Sequence, residues 1–190
     1  LVLNADDPVL VRQSASFPCP LGWFALDFDL RRLAAQRAAG RPTSGVRDGR
    51  LMLALDNTLH DLGDVSAMPL TLDGRAAYNI ANIAGAALTA TALGIPAETI
   101  ALALSRFGQA QADNPGRLQR WQFGALDVFV DYAHNPDGLQ GLLEAVDAKR
   151  RTGRLAIVLG HAGNREDADL RAVAAMAATV RPDLVMLKDI

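Results

Sequence analysis

An α/β fold is predicted by three observations. Short apolar runs of strand length occur at residues 1–3, 155–159 and 184–187. Helical stretches rich in alanine and leucine separate such runs, the longest over residues 75–93. Turn residues stand at the junctions, as in Asp48-Gly49 and Gly94-Ile95-Pro96. Apolar strands that alternate with helices argue for a parallel sheet covered by helices.

The elements follow in order. Residues 1–3 run into Asn4 and Asp6, and Asp6 or Asp7 can cap a helix whose first position is Pro8. Residues 22–28 (GWFALDF) have the apolar and aromatic character of a strand. Residues 30–39 are helix-like and stop at Gly40, a favoured residue just past a helix end. Asp48-Gly49 predicts a tight hairpin turn, because it tolerates positive φ. The stretch TLHDLGD, which holds His60, reads as turn-like, and MPLTLDGR as an extended stretch followed by a turn. Residues 75–93 give the strongest helix signal and residues 97–107 a second. Residues 108–116 (GQAQADNPG) carry turn residues and no periodicity, so the domain boundary is drawn there. Beyond it, residues 117–123 and 126–131 predict a β-hairpin turning at Gly124-Ala125. YAHNP is then a loop at a strand's carboxyl end, and Pro136 opens a helix that runs to about Lys149. A buried strand over 155–159, the loop GHAGNR, a helix over 166–180 and a buried strand over 184–187 complete the pattern.

Composition narrows the function. A chain of 190 residues suits one large or two small domains, and with half its residues hydrophobic it can fill a core. Net charge is −2 and the 19 basic residues are scattered, so no nucleic-acid partner and no acidic membrane surface is expected. No apolar run approaches the roughly 18–20 residues of a membrane helix. The single cysteine, Cys19, excludes an intrachain disulfide and fits a reducing cytoplasm. Both ends read as interiors of a longer protein.

Four motifs carry polar chemistry. DYAHNPDG, residues 131–138, puts Asp131, His134 and Asn135 past the end of a strand, where open α/β sheets bind ligands. Asp131 can accept from two vicinal ribose hydroxyls. His134 and Asn135 can face phosphate, and the helix start favours an anion. An ordinary loop capped by Asp131 or Asn135 is an equal alternative. In YNIAN, Asn79 and Asn82 share a helix face, and their amides match the donor–acceptor edge of adenine. The plainer alternative is two exposed or loop-bridging amides. Arg117 follows a Pro-Gly turn and can clamp a phosphate, although surface arginines at a domain entry are common. In GHAGNRED, residues 160–167, Arg165 can meet a carboxylate, G-x-G-x-x-G is absent, and a His161–Asp167 metal pair has little support, so no metal site is assigned. No Gly-Lys pair occurs, so the chain holds no P-loop, and a bound triphosphate needs further partners.

Taken in order, VLNADDP, MPLTLDGRAAYNIANIAGAALTATALGIPAETI, PGRLQ, DYAHNPDGLQGLL and the GNRED…LVMLKD tail resemble the Mur ligase superfamily over nearly the whole chain. They are most like its cyanophycin synthetase branch. Folylpolyglutamate synthases are also similar, but usually have glycine where Tyr132 stands. Tyr78 and Asn164 depart from several relatives, which have histidine and an acid there. The resemblance implies that residues 1–112 are the later part of a central ATPase domain. Residues 113–190 would be an incomplete Rossmann-like C-terminal domain, with 108–116 as hinge. It implies an ATP-dependent ligase that makes an amide bond through an acyl phosphate, using ATP and Mg2+ whose main ligands lie outside this chain. The partners implied are ATP and an amino-acid or peptide-like substrate; an oligomer is compatible. By position, Asn79 and Asn82 would contact adenine, Arg117 the phosphates and Asp131 the ribose. His134 and Asn135 would sit in the same nucleotide-facing loop, and Arg165 near the amino substrate. The alternatives are a folylpolyglutamate-synthase-like ligase or a non-catalytic nucleotide-binding or interaction module.

Overall fold

The computed structural model describes residues 1–149, 152–160 and 166–188. Contacts divide the chain into two compact units, Leu1–Gln109 and Ala110–Ile190. The boundary read from the sequence falls at 112–113.

In the first unit, β1 (Val2–Asn4), β2 (Gly22–Asp27) and β3 (Thr43–Arg47) run parallel. Strands β4 (Arg50–Leu55) and β5 (Thr58–Asp64) extend the sheet antiparallel, in the order β1-β2-β3-β4-β5. Helix α1 (Pro8–Gln13) joins β1 to β2. Asp7 caps it, its Oδ1 accepting the Val9 and Leu10 amides at 2.7 and 3.2 Å. Helix α2 (Arg31–Ala38) joins β2 to β3. Asp48 and Gly49 take φ of +51° and +74° in the β3–β4 hairpin, the geometry a two-residue turn needs to follow the sheet's twist.

Alternate residues of one strand serve two cores, as the β pleat dictates. Trp23 and Ala25 of β2 pack with Leu3 of β1, Leu33 of α2 and Leu10 of α1. Phe24, between them, packs with Leu51 and Leu53 of β4 and with helix α3 (Ala77–Ala92). The buried stripe of α3 is Ile80, Ile83, Ala84, Ala87 and Leu88, the spacing of an amphipathic helix. Helix α4 (Ala97–Leu104) adds Ile100 to the same core. A Cβ on Gly85 of α3 would lie 2.9 Å from the Phe24 ring, so glycine lets helix and strand meet more closely than alanine would.

In the second unit, β6 (Gln119–Phe123) and β7 (Leu126–Val130) form an antiparallel hairpin turning at Gly124, φ +59°. Helix α5 (Pro136–Ala145) follows. Strands β8 (Ala156–Gly160) and β9 (Leu184–Lys188) pair in parallel, with α6 (Asp167–Ala178) between them in sequence. Leu139 and Leu143 of α5, Ile157 of β8 and Ala177 of α6 share a small core.

The structure is the α/β fold that the sequence predicts, with four local departures. The parallel sheet expected after the boundary is two separate two-stranded sheets among the described residues. Strand β7 reads LDVFV with Asp127 inside it, so it lacks the continuous apolar run of a strand buried between helices. TLHDLGD is not a turn but β5, with His60 opposite Leu53. Its alternation was hard to see because Leu62 is buried while Leu59 is half exposed. MPLTLDGR is not extended. The chain makes 3-10 turns at Val65–Ala67 and Pro69–Thr71, then Leu72, Asp73 and Gly74 all take positive φ. The Thr71 hydroxyl causes this curl from inside. It lies 2.6 and 2.8 Å from the Val65 and Met68 carbonyls and accepts the Gly74 amide at 3.1 Å. Finally, α5 stops at Ala145, and Asp147 turns left-handed at φ +52°. Among the described residues, no helix is long and apolar enough to cross a membrane.

Candidate functional site

The second unit gathers four of the seven predicted site residues, Arg117, Asp131, His134 and Asn135, around one strand end, and it does so through two short segments. The first is the turn at residues 114–117. Arg117 N–H donates to the Asn114 carbonyl at 3.2 Å, and Gly116 has φ +70°, the requirement at the third position of a type II turn. Gln119 Oε1 accepts the Gly116 amide at 2.6 Å, and Gln119 Nε2 donates to the Gln111 carbonyl at 2.6 Å. Leu118 then takes φ +47°, a conformation that costs a side chain with a Cβ.

The second segment is the loop after β7. Asp131 is half-buried, and its Oδ2 accepts the Leu118 amide at 2.8 Å. The carboxylate therefore holds the left-handed residue next to Arg117. The exposed Arg117 guanidinium lies over the Tyr132 ring, 4.7 Å from its centroid. The His134 ring tilts against Tyr132 at 55°, with centroids 5.1 Å apart. His134 Nδ1 lies 3.0 Å from the Tyr132 carbonyl. A carbonyl only accepts, so Nδ1 carries the proton and Nε2 is the ring's other polar atom. Asn135 is the N-cap of α5, its Oδ1 accepting the Gly138 amide at 2.7 Å. Its oxygen is thus committed to the cap, which was the alternative reading of this residue.

In the first unit the two asparagines part company. Asn79 is buried, and its Nδ2 donates to the Leu70 carbonyl at 2.8 Å, tying α3 to the curled strap before it. Asn82, three residues on, is exposed. A shared helix face does not give a shared environment, because the strap covers only the first turn. Asn82 keeps a donor and an acceptor at the surface, while the Asn79 amino group is used inside the fold. Arg165 and His161 lie outside the described residues. Among the described residues, no group of three or more His, Cys, Asp or Glu side chains could hold a metal ion.

Tyr132 is the residue that reading by polar motif missed. An exposed aromatic next to an acid in a loop was its only signal, and the positive φ of Leu118 left none. In the first unit a cavity of about 530 Å3 opens at the amino-terminal ends of β1 and β2, lined by Cys19, Leu21, Arg41, Pro42, Leu88 and Thr91. It includes neither asparagine.

An arginine, a carboxylate and a histidine thus stand together just past the end of β7. Residues 116–188, which hold all three, match the family described as Mur ligase, glutamate ligase domain. The chain as a whole is similar to ligases of this kind. It is 28% identical over 191 aligned residues to cyanophycin synthetase from Trichormus variabilis, covering 99% of this chain and 21% of that protein. Over 91 residues it is 46% identical to UDP-N-acetylmuramoyl-L-alanyl-D-glutamate–2,6-diaminopimelate ligase from Gloeobacter violaceus, covering 47% of this chain and 18% of the other. The chain thus spans about a fifth of the length of these relatives. Two solved structures share the fold. Folylpolyglutamate synthase from Thermotoga maritima has a TM-score of 0.50 at 21% identity, with 90% of this chain and 41% of that chain covered. A murein peptide ligase from Psychrobacter arcticus has a TM-score of 0.51 at 14% identity, with 92% and 44% covered.

Proposed function

We propose that this chain is the adenosine- and phosphate-contacting part of an ATP-dependent ligase that joins a carboxylate to an amine. The observation that carries this is the built cluster Arg117–Asp131–Tyr132–His134, within a region that matches the Mur ligase family. Relatives named cyanophycin synthetase, matching along the whole chain, point to the same chemistry.

In this reading Asp131 accepts from the ribose hydroxyls. A carboxylate has about four lone-pair directions and can accept several hydrogen bonds at once. Arg117 meets the phosphates with its planar fork. Asn82 offers its amide to the adenine edge, and Asn79 acts one step back by fixing the start of α3. Asn135 presents the amino end of α5, whose N–H groups favour an anion, and His134 stands beside it. Arg165 is assigned to the incoming amino substrate. The reaction moves the γ-phosphoryl group to the carboxylate, giving ADP and an acyl phosphate. The amine then attacks the acyl carbon, phosphate leaves, and the nitrogen loses a proton. Charge on the transferring group must be neutralised and the reactants held in line. Magnesium supplies part of that neutralisation in such reactions, and the described residues are given no share in holding it.

The whole protein should release ADP only when both a carboxylate and an amine acceptor are present. Aspartate-rich peptide with arginine or aspartate forms one arm of the assay, and folate with glutamate the other. ADP release in the first arm supports the cyanophycin-synthetase-like reading, and release in the second the folylpolyglutamate-like one. An absence of nucleotide binding and of ADP release in both arms contradicts the ligase reading. The 190-residue chain alone, without a P-loop, is expected to form no amide.

A further inference from the structure

We infer that Asp131 and Tyr132 form a positioning latch that aims Arg117 before any phosphate arrives. This rests on the nucleotide reading above and adds to it a role for Tyr132. Two adjacent residues on one segment hold two adjacent residues on the other. Asp131 Oδ2 takes the Leu118 amide at 2.8 Å and so fixes the backbone, and the Tyr132 ring takes the Arg117 guanidinium at 4.7 Å and so fixes the side chain.

Each half needs the other. Leucine at φ +47° is held in a conformation that side chains rarely adopt, and a free turn would relax away from it. The carboxylate opposes that relaxation, which keeps the Arg117 Cα near the ring. An arginine side chain has much rotamer freedom to lose when it meets a phosphate. Resting the guanidinium on an aromatic face removes part of that loss beforehand, because the flat cation keeps its N–H edges available while its face is occupied. His134 braces the platform. Its ring packs against Tyr132 at 5.1 Å, and its Nδ1–H donates to the Tyr132 carbonyl at 3.0 Å. The ring does the work here, so phenylalanine should replace Tyr132 and leucine should not.

The test titrates the whole protein with ATP and with adenosine, using wild type, Tyr132→Phe and Tyr132→Leu. Each is also made in an Arg117→Ala background. Tyr132→Leu is expected to weaken ATP binding about two- to fivefold, the scale of a part-exposed cation–π contact. Tyr132→Phe should bind as wild type does. Adenosine affinity should be unchanged in all three, and Tyr132→Leu should add nothing once Arg117 is alanine. Equal weakening of adenosine and ATP would show the ring stacking on the base instead, and would overturn the latch. So would an effect that persists without Arg117, or no effect at all. Proton spectra of the Arg117 side chain give an independent reading. Ring-current displacement should appear in wild type and Tyr132→Phe and vanish in Tyr132→Leu, and its absence from wild type contradicts the latch. A wild-type protein that shows the displacement and fails to bind ATP sinks the nucleotide reading alone.

Discussion

The strap before α3 and the loop region around β7 both rely on left-handed backbone, and they are held in opposite ways. In the strap, Leu72, Asp73 and Gly74 have positive φ, and the restraining groups are Thr71, which is fully buried, and Asn79, which is nearly so. In the loop region, Gly116 and Leu118 have positive φ, and the restraints are a half-buried carboxylate and an exposed tyrosine. The first geometry is fixed by the core itself. The second is fixed by a few contacts within reach of solvent, so it can be altered without unfolding its unit. Changes in the strap should therefore register as stability, and changes in the loop as ligand affinity.

The largest expected effect comes from the strap's buried apolar side chain. Met68 is buried in the core shared by β4 and α3, and Met68→Ala should cost about 2–5 kcal/mol in denaturant unfolding. A loss below about 0.5 kcal/mol would mean that the strap is not part of that core. Next comes the contrast within one helix. Asn79→Ala leaves the Leu70 carbonyl without its partner and should cost about 1–3 kcal/mol. Asn82→Ala, at an exposed position, should change stability by less than about 0.5 kcal/mol. Equal losses at the two positions would erase the distinction drawn between them.

The smallest effect is electrostatic. Asp64 opens the strap, and the Ser66 hydroxyl and backbone amide that it accepts hold its carboxyl below the ordinary carboxylate range. A depressed folded-state pKa gives stability that is present above the unfolded value of about 3.9 and lost as pH falls through the folded value. Acid unfolding should thus begin below about pH 4. Asp64→Asn should lower stability near neutrality while flattening that acid limb, and an unchanged acid limb would remove Asp64 from the strap's account.

Where local chemistry dictates geometry, the sequence was legible. Asp7 caps α1, Asp48-Gly49 turns the β3–β4 hairpin, and the alanine-rich stripe of α3 packs as its spacing implies. Reading failed where one side chain redirects a segment from within. Nothing in MPLTLDGR announces that Thr71 will turn inward and curl it. Pattern also could not separate Asn79 from Asn82, since their difference comes from the strap lying over one and not the other. The polar members of the loop cluster were visible as a motif. The tyrosine that organises them was not, because an aromatic ring under an arginine depends on a turn fifteen to eighteen residues earlier.

Nucleotide affinity measured on the whole protein probes the central claim most directly. Calorimetric titration with ATP should give at least tenfold weaker binding for both Asp131→Ala and Arg117→Ala than for wild type, a loss of about 1.4 kcal/mol or more. Wild-type affinity in both variants would place the nucleotide elsewhere and contradict the account.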